Sequence, residues 1–406
     1  MELPRQYLVD MEIAKQLLSR LGKWEYLGLC LLVLVILAMH FSIIMQPDEV
    51  VFDEKYYVDD ARSILQGDET LRPEHPPLGK LFIVFGMFLF GDNPLGWRFF
   101  SVLFGAIGIV LFYLVCRHLA MPKEASLLAT FLLALDNLSF VQASVAMLDV
   151  YSLTFMLASF WLYLRGRYLF SGLSVGLSAL AKLSGVLALP AILLHWLLTK
   201  RAHPARFVAS ILVAYASFLL LMPLFDFVIF RQLLNPIHRL YTILSLSGSL
   251  TFTTAAHVSA SRPWDWVLRP EIMAYWYEPQ YIGAISFTIW ALIIPSVLYM
   301  GFRAAKGNTA GLFGISWFAS TYLLWIPVSI ITNRISFIYY FYHTVGAICI
   351  GLGLGLSQLL TIWKTRKGGK LRWVAMLAVL CYLLLHVSVF VILSPVFNLW
   401  TMPLPP

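Results

Sequence analysis

The chain has 406 residues, of which 60% are hydrophobic and only 12% charged. A soluble domain carries about twice that charge fraction, so there is too little polar surface here to coat a water-soluble globule. The formal net charge of +8 is gathered in short Lys/Arg clusters between apolar runs, a cytoplasmic-loop pattern that argues against a nucleic-acid partner.

A basic, amphipathic lead (Arg5, Lys15, Arg20, Lys23) opens the chain and lacks a signal-peptide cleavage pattern. The first apolar run therefore reads as a retained span. Candidate spans lie at about 24–45, 97–116, 124–141, 146–164, 168–181, 184–199, 207–225, 282–302, 310–331, 336–361 and 373–393. The run 78–90 would cover only about 20 Å as a helix, short of a hydrocarbon core near 30 Å. Laid flat, it leaves the N-terminal lead and the basic groups at 117–123, 165–167, 200–206, 303–306 and 364–372 on one side. As a span it would set every later cluster against the N-terminus, so the positive-inside rule favours an interfacial helix. Residues 168–199 would be about 48 Å long as one helix, and Lys182-Leu183-Ser184-Gly185 marks a break into two short spans.

The expected architecture is an all-α polytopic membrane protein, a single domain over 1–406 with about eleven transmembrane helices. A first outer loop spans 46–96 and a second spans about 226–281. About half of the chain's acidic residues fall in the first loop. Cys30, Cys116, Cys349 and Cys381 lie in or beside apolar runs and read as small buried residues, with no metal-ligand spacing.

Asp53-Glu54 follows the first span among aromatic neighbours. A carboxylate near an apolar wall gains basicity by desolvation, which suits a general base. Acidic residues also favour any helix start, so an ordinary solvated turn explains the pair equally simply. In His75-Pro76-Pro77-Leu78-Gly79-Lys80 the prolines suit a helix start, and flanking cations there suit a phosphate. Arg98, Lys182 and Arg334 fall at outer ends of spans, against the charge trend, which suggests a shared anion such as a lipid phosphate. Arg98 could equally snorkel to headgroups. Asp149 could pair with one of these cations. In the second loop, Trp264, Asp265 and Trp266, then Tyr275-Trp276-Tyr277-Glu278, suit either an interfacial aromatic belt or a sugar-binding face.

Together and in this order, these residues resemble the protein O-mannosyltransferase family of the GT-C membrane glycosyltransferases. The carrying motifs are Phe52-Asp53-Glu54, His75 to Lys80, Arg98, Leu148-Asp149 and Gly172 to Gly185 around Lys182. Ser261 to Trp266 and Arg334 to Tyr340 complete them. The resemblance covers most of residues 24–361. It implies a GT-C fold with interfacial helices in the first loop. It also implies an inverting transfer of a sugar, typically mannose, from a polyprenyl- or dolichyl-phosphate donor to an acceptor hydroxyl, as on protein Ser/Thr. Asp53 would be the general base or acceptor-orienting carboxylate, with Glu54 its partner. Arg98, Lys80, Lys182 and Arg334 would bind the donor phosphate, and His75, Asp149, Trp264, Trp266 and Tyr340 would shape the pocket. No cofactor or metal is required, although carboxylates could also hold a divalent ion.

Two departures separate this chain from the family pattern. Only about 55 residues connect spans seven and eight, where eukaryotic members carry a large lumenal domain. Ser144 is followed by Val145, where many members have Ser-Arg. The alternatives are an aminoarabinose-transferase-like enzyme modifying a glycolipid, a lipid-linked sugar transporter, and a lipid-binding scaffold. The expected location is a prokaryotic plasma membrane, with the site on the extracytoplasmic side.

Overall fold

The computed structural model describes residues 25–199, 203–254, 257–365 and 369–399. The N-terminal basic lead lies outside the described residues, as do Lys200, Arg201, Arg366 and Lys367.

The chain runs through α1 (Glu25–Ile43), then α2 (Glu54–Gln66), α3 (Pro77–Phe90) and α4 (Pro94–His118). α2 stops at Gly67, whose φ of 87° is the left-handed conformation glycine adopts without strain. Pro77 and Pro94 each open a helix in the first turn, where no N–H donor is needed. Asn93 caps α4 by accepting from the Gly96 amide at 3.2 Å. α5 (Lys123–Ala134) and α6 (Asn137–Ser144) meet at 58°. The bend falls where Asp136 caps α6 through the Ser139 amide at 2.9 Å and also accepts from the Ser286 amide at 2.9 Å.

α7 (Leu148–Leu164) and α8 (Tyr168–Ala181) follow. α8 ends where the sequence places the break: Lys182 is extended, Leu183–Leu187 forms a 3-10 turn, and α9 (Ala188–Leu198) resumes. α10 (Pro204–Phe230) packs so closely on α8 that a methyl at Gly172 would collide with the Ser210 carbonyl. α10 ends at Phe230, a few residues into the stretch assigned to the second loop.

That second loop is not shapeless. It holds α11 (Pro236–Ser249), the single turn α12 (Asp265–Leu268) and a hairpin of β1 (Met273–Tyr277) and β2 (Gln280–Gly283). The strands pair antiparallel, with Met273 opposite Gly283 and Tyr277 opposite Gln280. An all-α chain thus carries one small β-hairpin, built where aromatic residues cluster as strands prefer. The remaining helices are α13 (Phe287–Trp290), α14 (Ile293–Ala305), α15 (Thr309–Phe318), α16 (Trp325–Thr332), α17 (Tyr342–Thr365) and α18 (Lys370–Leu393). A π-turn at Ala319–Leu323 joins α15 to α16. Pro327, one turn further on, has no N–H to offer the Leu323 carbonyl.

The apolar segments expected to span are largely helical, but 282–302 begins in β2 and is divided between α13 and α14, and the helix lengths differ from a uniform set. Among the described residues, six helices are long and apolar enough to cross a membrane, or seven if α5 and α6 form one bent span. α3, α7, α8, α14 and Leu183–Leu198 are shorter apolar helices of 10–17 residues. The protein is an integral multi-pass membrane protein. Its core joins α4, α5, α7 and α17 through side chains such as Phe112, Leu132, Phe160 and Ile348. Cys116 and Cys349 are buried there, whereas Cys30 and Cys381 are exposed on outer helix faces rather than buried.

Candidate active site

The first loop is organised by a buried ion pair. Arg98 near the start of α4 meets Glu54 at 2.8 and 2.9 Å, and both side chains are fully buried. The guanidinium also donates to the carbonyls of Ile44, Gln46, Pro47 and Glu49 at 2.9–3.1 Å. Glu54 accepts further from the Val51 amide at 3.0 Å and the Ala146 amide at 2.8 Å. This knot ties the chain leaving α1 to the turn before α7. Every guanidinium nitrogen of Arg98 is engaged within this knot, and Arg98 does not line the cavity described below, so the structure does not bring it to the other expected phosphate-binding cations. Glu54 is likewise a partner of Arg98 and not of Asp53.

Lys80 is likewise held away from the cavity lining. Its ammonium is fully buried against Asp60 at 2.9 Å, and donates to Thr70 Oγ1 at 2.8 Å and the Arg72 carbonyl at 3.0 Å. Asp60 in turn accepts from the Thr70 hydroxyl and the Leu71 amide, both at 2.6 Å. The pair pins the loop after α2 onto α3.

Lys182 and Arg334 do face a cavity. It measures about 410 Å3 and is walled by apolar residues of the 183–187 turn, α11 and α16, among them Val186, Leu244 and Val328. Its polar members include Glu74, His75, Asp149, Lys182, Arg334 and His343. Lys182 meets Asp149 at 2.6 Å, and its ammonium lies 5.1 Å from the Tyr339 ring and 5.7 Å from that of Tyr340. Arg334 follows Asn333, whose φ of 49° turns the chain out of α16, and its guanidinium donates to the Ser247 carbonyl of α11. His75 packs edge-on to Tyr57 at 5.3 Å. Burial, with Lys182, Lys80 and Arg334 nearby, holds its imidazole pKa well below 6.5, so the ring is neutral.

Asp53 sits at the edge of this cluster. Tyr339 donates to its Oδ2 at 3.3 Å, which links the carboxylate to the ring that faces Lys182. The preceding Phe52 has a φ of 46°, a left-handed conformation that is strained for an aromatic residue. Its ring is stacked on Tyr275 at 4.6 Å and lies edge-on to Tyr339 at 5.8 Å, contacts that hold the turn. Burial pushes the Asp53 pKa up from an ordinary 3.8 to about 6; Lys182 pulls it down and Asp149 pushes it up.

The expected aromatic pocket residues divide. Tyr340 lines the cavity. Trp266 is fully buried and donates to the Ser261 hydroxyl at 3.0 Å, while Trp264 is exposed on the surface, so neither is a cavity wall. Sequence reading assigned no role to Tyr339, His343 and Ser247, or to Arg239 beneath them. Tyr339 alone carried a signal, as the neighbour of Tyr340 in the Arg334–Tyr340 motif. Among the described residues no group of three or more His, Cys, Asp or Glu is placed to hold a metal ion.

The family model of dolichyl-phosphate-mannose-protein mannosyltransferases matches residues 74–230. A polyprenol-phosphate-mannose–protein mannosyltransferase of Mycolicibacterium smegmatis is 35% identical over 116 residues, 27% of this chain and 22% of that one. The stretch matched in that relative is thus under a quarter of its length. The enzyme of the same name from Corynebacterium glutamicum is 23% identical over 87% of this chain and 85% of its own. Among solved structures, an S. cerevisiae protein O-mannosyltransferase complex bound to the sugar donor superposes with a TM-score of 0.76. The identity is 12%, over 92% of this chain and 90% of that one. ArnT from Cupriavidus metallidurans bound to undecaprenyl phosphate gives 0.62 at 17% identity, over 91% and 76%. The fold is that of the GT-C membrane glycosyltransferases. Within that fold, residues 74–230 of the chain are similar to the dolichyl-phosphate-mannose-protein mannosyltransferase family.

Proposed function

We propose that this protein is an inverting glycosyltransferase. It moves a sugar, mannose by its similarity to the matched mannosyltransferases, from a polyprenyl phosphate to an acceptor hydroxyl on the extracytoplasmic face. The observation that carries this reading is Asp53, a carboxylate of raised basicity, joined through Tyr339 to the Lys182–Asp149 pair that lines an apolar, cation-bearing cavity.

Asp53 takes the acceptor hydroxyl proton as that oxygen attacks the anomeric carbon. The bond from that carbon to the phosphate oxygen breaks, with inversion, and the lipid monophosphate leaves. Lys182 and Arg334 stabilise the charge that grows on it, in a setting of low dielectric. Neutral His75 and Tyr340 shape the wall against the sugar, and the apolar side of the cavity accommodates the start of the lipid chain. The first outer loop, 46–96, supplies the base, and the second, about 226–281, supplies one cavity wall.

The test uses purified full-length protein, radiolabelled polyprenyl-phosphate mannose and two acceptors: a Ser/Thr-rich peptide and a glycolipid. Wild type should label the peptide and release the lipid phosphate, and folded Asp53→Asn should do neither. Full activity of Asp53→Asn removes Asp53 as the base. Labelling of the glycolipid alone would instead place the protein with the aminoarabinose-type transferases.

A further inference from the structure

Residues Arg72 to His75, which lead into α3, form no regular structure, yet all four backbone carbonyls are held by side chains from elsewhere. Lys80 donates to the Arg72 carbonyl at 3.0 Å, and Ser247 to that of Glu74 at 3.3 Å. Arg239 takes the other two: it donates to the Pro73 carbonyl and, at 3.1 Å, to that of His75. Arg239 belongs to α11 in the second loop, is almost wholly buried, and is paired with Asp226 of α10 at 3.2 Å. It does not line the cavity, but the segment it grips supplies Glu74, His75 and Pro76 to the cavity wall. The helix it belongs to supplies Leu244, Ser247 and Gly248.

An irregular segment has no helix or strand ladder to fix its backbone, so its position depends on such bonds. A planar guanidinium can hold two carbonyls at a fixed separation, which an ammonium cannot. We propose that Arg239 is a positioning residue for the donor phosphate end. Anchored by Asp226, it sets the distance between the 73–76 wall and α11, and so the fit of the lipid-phosphate sugar. This rests on the transferase reading given above. Arg239 touches no substrate, so its loss acts on donor affinity and leaves the chemical step largely intact.

The experiment compares wild type with Arg239→Lys and with the double variant Asp226→Asn/Arg239→Gln. The double variant removes the guanidinium without leaving a buried, unpaired charge. Binding of undecaprenyl phosphate, donor KM and kcat are measured on protein shown to be folded. Both variants should raise the undecaprenyl phosphate Kd and the donor KM by about tenfold, with a much smaller change in kcat. Unchanged Kd and KM in either folded variant would overturn the proposal. So would loss of folded protein in both, which would assign the pair to the fold alone. If wild type binds undecaprenyl phosphate but transfers no sugar, the transferase reading fails, and the binding comparison still decides the role of Arg239.

Discussion

Glu54 and Arg98, 44 residues apart, are joined by two hydrogen bonds at 2.8 and 2.9 Å and are both sealed from water. Each is fully occupied, the acid by two backbone amides and the base by four carbonyls. The two adjacent acids of the first loop therefore have different tasks. Glu54 anchors the loop, and Asp53, outside that knot, is the carboxylate proposed above as the base.

Removing one partner of that pair leaves an uncompensated buried charge. Arg98→Met should cost about 3–5 kcal/mol, and Glu54→Gln/Arg98→Met should recover part of the loss. Thermal unfolding in detergent checks this; equal midpoints for wild type and Arg98→Met would contradict it.

The raised pKa of Asp53 predicts the acid limb of a rate profile. A base with a pKa of about 6 is protonated below that pH and ionised above it, so kcat/KM should rise through about pH 6 and then level off. His75, held well below 6.5, is already neutral there and adds no limb of its own near pH 6. Folded His75→Gln should therefore keep the same inflection. A profile flat from pH 5 to 8 would remove Asp53 from the rate-determining proton transfer.

Lys182 pairs with Asp149 at 2.6 Å, and its charge lowers the pKa of Asp53. Lys182→Met should lower kcat by about 10²–10³, the loss typical of a preorganised electrostatic group. Asp149→Asn should leave the charge but loosen its aim, with a smaller loss. Single-turnover rates at saturating donor would separate the two; equal rates for Lys182→Met and wild type would refute the assignment.

Two glycines offer a matched comparison. A Cβ at Gly79 would lie 2.5 Å from the Ala181 carbonyl oxygen, next to Lys182. One at Gly172 would strike Ser210 instead. Either alanine substitution should cost about 1–3 kcal/mol by overpacking. Only Gly79→Ala should also raise the donor KM, because it pushes on the turn that carries Lys182. The same KM for both variants would contradict this.

Much of this was legible in the sequence, and the failures share one cause. Apolar run length and charge parity gave the order of helices, and the polar Lys182-Leu183-Ser184-Gly185 gave the break after α8. Charge counting cannot tell which paired cation is sealed inside the fold and which still faces a cavity. Arg98 and Lys80 look as available as Lys182 until Glu54 and Asp60 are seen against them. Trp266 reads as a binding aromatic because its type is common to pockets and cores alike. Arg239 reads as one more loop cation, because its targets are carbonyls, which leave no trace in side-chain pattern. The hairpin at 273–283 lay within a loop too short and aromatic to separate from an interfacial belt.

The outer side of α11 has a consequence for traffic through the site. Ile237, Tyr241 and Leu244 are all strongly exposed along that helix. Such a stripe is at rest against acyl chains and not against water. That lipid-facing flank adjoins the apolar wall that Leu244 gives the cavity. On the transferase reading proposed above, a greasy donor then reaches the cavity sideways from the oil, without first crossing water.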